Sequence, residues 1–243
     1  MYQNTVGRLT SVEFFAAIPP GLFVFLISHA WFSGGPSAEP PRSLWDYLLS
    51  LSTVLQENPA AILFALFGAY LFGSIIRSMP VRWAEKVATF GRSEFPYPTV
   101  LRSMLRQMSE EAAASDLEPK RLPKLESISS NTFNYWKDVL CIQAPGAFAF
   151  YQTFEARSRF FTSMFWAGVS GLVGGLGIAV QSLGRSWPLA PSIQLLVLSA
   201  ILVVAFGLQL RRVREQEARV LLTLFSVLMQ QGPVPSSPAG TAG

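Results

Sequence analysis

Charge is scarce in this sequence. Only 14% of its residues are charged, against roughly 25% in an ordinary soluble domain, and that scarcity argues against a water-solvated globule. Cysteine is almost missing: the single Cys141 excludes an intrachain disulfide and a cysteine-cluster metal site. Histidine is equally rare, and a lone His29 cannot supply the histidine sets that hold zinc or haem within one chain. There is no H-E-x-x-H, no G-x-x-x-x-G-K-[ST] and no G-x-S-x-G, so the helix-borne zinc site, the phosphate loop and the nucleophile elbow lack their residues. No cofactor, metal or catalytic residue is expected on these grounds, and an enzyme is the less favoured class.

What is abundant is apolar. Half of the residues are hydrophobic, and they gather into four runs, at about 14–32, 59–76, 160–183 and 193–210. A helix of about 20 apolar residues crosses the hydrocarbon core of a bilayer. The expected fold class is therefore all-α: a polytopic integral membrane protein with four transmembrane helices and a cytoplasmic helical insert between spans two and three. The first run exceeds the 7–15 residues typical of a signal-peptide core and is interrupted by Pro19, Pro20 and Gly21, so it reads as a retained span. Acidic residues are missing from the interior of the runs, which disfavours a carboxylate-driven ion-coupled transporter.

The basic residues orient the spans. Of the 19 Lys and Arg, only Arg42 and Arg185 fall in the loops between spans one and two and between spans three and four. Arg77, Arg82, Arg157, Arg159, Arg211, Arg212 and Arg214 all flank span ends on the other side. Positive residues close to span ends mark the cytoplasmic face, which puts both termini and the insert in the cytoplasm. The net charge of +4 follows this clustering rather than a nucleic-acid footprint. The two-plus-two arrangement suits a small protein of a bacterial inner membrane.

The pattern divides the chain into five parts: a first transmembrane pair with its short outer loop (1–77), the helical insert (78–159), a second pair (160–210), a cytoplasmic C-terminal helix (211–231) and a tail (232–243) whose small, polar, proline-containing composition suits disorder. Thr10 and Glu13 form a capping box before the first run. Ser43 and Asp46 form a cap signature ahead of a short interfacial helix over about 44–56. Within the insert, 79–92 is patterned as an amphipathic helix at the membrane interface, and further helices are expected over about 100–114 and 130–143. The chain then turns at 144–146, and a long helix runs into the third span.

Four sets of residues are candidates for a specific role. Ala61, Ala65, Ala69 and Gly73 recur every four residues along the second run, and Gly171 and Gly175 form a GxxxG in the third; small residues let helix backbones approach in lipid. Pro19, Pro20 and Gly21 are expected to kink the first span, since proline removes a helical hydrogen bond. Leu221, Leu224, Phe225 and Leu228 form an apolar helix face that needs a cover, whether the insert, the lipid surface or a separate partner, and they are the candidate partner-binding residues. Lys137, Glu155, Arg157 and Arg159 are the densest polar group beside the membrane and the candidate cytoplasmic polar site. Cys141 reads as a small buried hydrophobe.

The expected partners are the lipid bilayer and either a second copy of the chain or a cytoplasmic protein. The expected function is non-catalytic: self-association or docking of a partner through the insert and C-terminal helix, with the spans of several copies able to surround a pore. Two alternatives carry residues of their own. One is a small channel or transporter using the kinked first span beside His29. The other is a lipid-modifying enzyme at the inner interface using Lys137, Glu155 and Arg157.

Overall fold

A computed structural model describes residues 17–29, 43–88, 102–107, 110 and 130–231. Among the described residues all regular structure is helical, without strands. The main helices are α1 (Ala17–His29), α2 (Leu44–Glu57), α3 (Pro59–Arg77), α4 (Val81–Ala88), α5 (Ser130–Gln143), α6 (Pro145–Arg185) and α7 (Ala190–Gln231), and residues 102–107 are helical as well. Three of them, α3, α6 and α7, contain stretches long and apolar enough to cross a membrane, while α1 is a shorter apolar helix. Residues 14–16 and 30–32, at the two ends of the first apolar run, lie outside the described residues. So do the capping box at Thr10–Glu13, the backbone before Ala17 on which a kink at Pro19, Pro20 and Gly21 depends, much of 100–114, and the tail 232–243.

Local chemistry explains the helix limits. Asn58 caps α3, its Oδ1 accepting from the Ala60 N–H at 3.1 Å, and Pro59 at the first helical position needs no N–H there. Ser43 does the same for α2, its Oγ accepting from the Asp46 N–H at 3.1 Å. Helix α6 has 41 residues and α7 has 42. At 1.5 Å per residue each is about 60 Å long, twice the ~30 Å hydrocarbon core, so each is longer than one crossing requires. Between them Ser186 takes a left-handed φ of 54°, and the Trp187 N–H reaches back to the Ser182 carbonyl at 2.9 Å. That is a Schellman ending with serine in the place glycine usually occupies.

The chain divides into two compact units: Met1–Gly91 with Ala156–Arg211, and Arg92–Glu155 with Arg212–Gly243. In the first unit helix backbones approach through small residues. A Cβ on Gly73 would strike the Ala17 carbonyl, and one on Gly21 would strike the Ala69 carbonyl, so α1 and α3 touch main chain to main chain. Ala69 is fully buried, with Ala61 and Ala65 less enclosed on the same face. On α6, Gly171 abuts Phe23 of α1 and Ser199 of α7, Gly174 abuts Ile27, and Gly175 abuts Leu196. The small-residue faces thus meet partners of their own chain. Their opposite faces are apolar and open: Leu63, Phe64 and Phe67 on α3, Val173, Leu176 and Val180 on α6, Val197, Ile201, Val204 and Leu208 on α7. Phe64 alone is 75% exposed. Stripes of this kind are a liability in water and the ordinary surface of a helix in lipid.

The second unit is built the other way round. Phe133, Trp136 and Leu140 of α5, Tyr151 of α6, and Ala218, Leu221, Leu222, Phe225 and Leu228 of α7 form its buried core, with Met104 and Leu105 packed against it. Trp136 stacks on Phe225 with ring centroids 5.0 Å apart. This corrects one expectation. Leu221, Leu224, Phe225 and Leu228 are not an open surface for a separate partner, because the chain's own insert covers them; the hydrophobic gain is taken intramolecularly. Cys141 is a second correction: it is exposed, because α5 buries Phe133, Trp136 and Leu140 on one face and turns Cys141 to the other.

Candidate functional site

The most unusual feature of the second unit is a carboxylate in its core. Glu217 lies one helical turn before Leu221 on the buried face of α7 and is 4% exposed. An unpaired charge there would cost several kcal/mol. Three donors meet it. The Tyr151 hydroxyl donates to Oε1 at 2.6 Å. Arg214, one turn earlier on α7, pairs with Oε2. Lys137 Nζ lies 3.7 Å from Oε1, also 3.7 Å from the Glu155 carboxylate, and 5.1 Å from the centre of the Tyr151 ring. The cluster balances two cations against two carboxylates and draws on α5, α6 and α7.

Its electrostatics follow from this geometry. Burial opposes ionisation of Glu217, but Arg214, the Tyr151 hydroxyl and Lys137 together outweigh it and hold the carboxyl below its usual range. Burial, and then the adjacent Glu217 and Glu155 carboxylates, push the Tyr151 hydroxyl far above its usual value, so it remains a donor. A carboxylate with both oxygens occupied and a lowered proton affinity is poorly suited to act as a base. The arrangement suits a clamp that sets the register of three helices, in the way satisfied buried polar networks specify one packing.

Of the predicted polar site, the structure brings Lys137 and Glu155 together. Arg157 and Arg159 are exposed residues of the first unit. Tyr151, Arg214 and Glu217 complete the cluster and escaped sequence reasoning, although the four-residue step from Glu217 to Leu221 and Phe225 was a usable sign of an acid on an apolar face. His29 lies in the first unit, its Nδ1 2.6 Å from the Tyr47 hydroxyl, which also reaches the Leu26 carbonyl at 3.3 Å. Burial pushes the Tyr47 hydroxyl up to about 12. The Leu44 N–H donates to Gln194 Oε1 at 2.8 Å, so α2 is pinned to both α1 and α7. Among the described residues, no group of three or more His, Cys, Asp or Glu side chains is placed to hold a metal ion.

No protein-family model matches this chain, and neither does any curated protein or solved structure.

Proposed function

We propose that this chain is a four-span, non-catalytic integral membrane protein whose second unit is a cytoplasmic docking module, binding another copy of the chain or a cytoplasmic protein. The observation that carries this reading is the contrast in what each unit leaves open. The first unit spends its small residues on its own packing and turns apolar stripes outward, as an anchor would. The second unit clamps its charged core internally and still leaves Tyr135 and Ile142 of α5 outside, Ile142 being 81% exposed. A surface of that kind is a candidate contact. The four-span count takes residues 14–32 as the first span, and the cytoplasmic placement of insert and termini rests on the basic residues at the span ends. A cell membrane, and in particular a bacterial inner membrane, suits this layout.

Two measurements test it. The mass of the particle in lipid nanodiscs should exceed that of one chain, through a second copy or a bound protein, and should fall to one chain in Ile142→Arg. A wild-type particle that is strictly one chain, with nothing bound, would overturn the docking reading. The exposed Cys141 is a native topology reporter. A membrane-impermeant maleimide should label it in inside-out vesicles and leave it unlabelled in sealed right-side-out ones; the reverse pattern would overturn the orientation.

A channel or transporter is the second reading, and the short contact between His29 and Tyr47 favours it at one point. Solute flux into liposomes that is lost in both His29→Ala and Tyr47→Phe would promote it over docking.

A further inference from the structure

Helix α4 is inside out for a helix in water. It begins just after α3 ends at Arg77. Ala84 is fully buried, in a cluster with Phe165 and Leu210. Its one carboxylate, Glu85, is turned inward at 5% exposure. The outward face instead carries Trp83, 66% exposed, and Val87, 52% exposed, one turn apart, with Lys86 exposed between them. A helix facing water would hide the tryptophan and valine and show the glutamate. Here an aromatic, a β-branched residue and a lysine share the open face, and the acid is withdrawn from it.

We infer that this face of α4 seats on the headgroup layer of the leaflet from which α3 emerges, and that it takes acidic phospholipids in preference to zwitterionic ones. The assignment rests on the membrane reading above and goes further, to a lipid class. Three observations favour lipid over a protein partner. Continuity is the first: α4 follows a candidate span by only Ser78, Met79 and Pro80, so its distance from the membrane surface is bounded. Charge is the second: the face carries a cation and no acid, which complements anionic headgroups. Residue type is the third: tryptophan's ring sits well at the boundary of headgroup and acyl chain, with its N–H toward water, and lysine can lay its stem on apolar surface while its ammonium meets phosphate. Lys86 and Trp83 are thus the lipid-binding pair, and Val87 adds apolar area.

The test uses the full chain in nanodiscs, made either of phosphatidylcholine alone or with phosphatidylglycerol added. The emission of Trp83 is obtained as the difference between wild type and Trp83→Phe, a mild exchange at an exposed position. Brominated phospholipid should quench that difference emission strongly, and aqueous acrylamide weakly. Lys86→Glu should reduce the bromine quenching about twofold or more in phosphatidylglycerol discs and leave it unchanged in phosphatidylcholine discs. Two results overturn the inference while leaving the membrane reading intact. In the first, Trp83 is quenched by acrylamide and not by brominated lipid while Trp166, within the third run, is quenched by brominated lipid. In the second, quenching of Trp83 by brominated lipid is indifferent to lipid charge and to Lys86→Glu. Failure of brominated lipid to quench any tryptophan overturns the membrane reading and this inference together.

Discussion

The two units use α6 and α7 in opposite ways. In the first unit the helices meet through glycine and alanine and expose leucine, phenylalanine and valine. In the second the same two helices bury tyrosine, leucine and phenylalanine, together with an ion cluster, and expose Arg212, Gln216, Arg219 and Thr223 alongside Phe150 and Val227. On the membrane reading proposed above, driving forces account for the difference. In water, removing apolar area from solvent is the main gain, so large side chains go inside. In lipid that gain vanishes, because the surroundings are as apolar as the side chains, and close backbone contact through small residues takes over. A continuous helix can pass from one regime to the other because its hydrogen bonds are internal in both.

Four substitutions and a titration would break or sharpen that contrast. Glu217→Ala has the largest expected effect: it leaves Arg214 and Lys137 facing a buried gap, at a cost of about 3–5 kcal/mol, and hydrogen exchange should show α5 opening while α3 stays protected. Acid should mimic it. The Glu217 carboxyl is held below its usual value in the folded chain, so the stability it contributes is full above the unfolded value of about 4.3. It is lost as the pH falls through the folded value. The second unit should therefore loosen only in strong acid, below about pH 4, and Glu217→Ala should abolish that component of the titration.

Leu222→Ala, in the fully buried core of the second unit, should cost about 2–5 kcal/mol, read by thermal unfolding in detergent. Gly73→Leu drives a side chain into the Ala17 backbone and should cost about 1–3 kcal/mol, read as a lower unfolding temperature of the first unit. Leu63→Ala should be the mildest, within about 0.5 kcal/mol, since Leu63 is 70% exposed and touches only lipid in the membrane reading. Equal costs for Leu63→Ala and Leu222→Ala would show that both units live in the same solvent.

Much of this was legible beforehand, and the exceptions share a cause. The helical class, the small-residue faces and the long helix entering the third run came from periodicity and residue size, which are local properties. Glu217 escapes a reading of α7 alone, because nothing along that helix reveals that Tyr151 and Lys137 meet it. Leu221, Leu224, Phe225 and Leu228 were recognised as a face needing a cover, but the identity of the cover is a long-range fact. Residue type favours burial of Cys141, but the rotation of α5 about Trp136 decides which side faces out, and Cys141 is exposed.

Sequence alone determined that the chain is helical, that it has stretches suited to lipid, and where its charge gathers, because composition and spacing act within a single helix. Tertiary structure alone decided that the C-terminal helix is covered by the insert, that a buried carboxylate is held by groups from three helices, and that α4 turns its tryptophan outward. Those outcomes depend on which faces meet across long stretches of chain, and loop closure over such distances leaves no local mark.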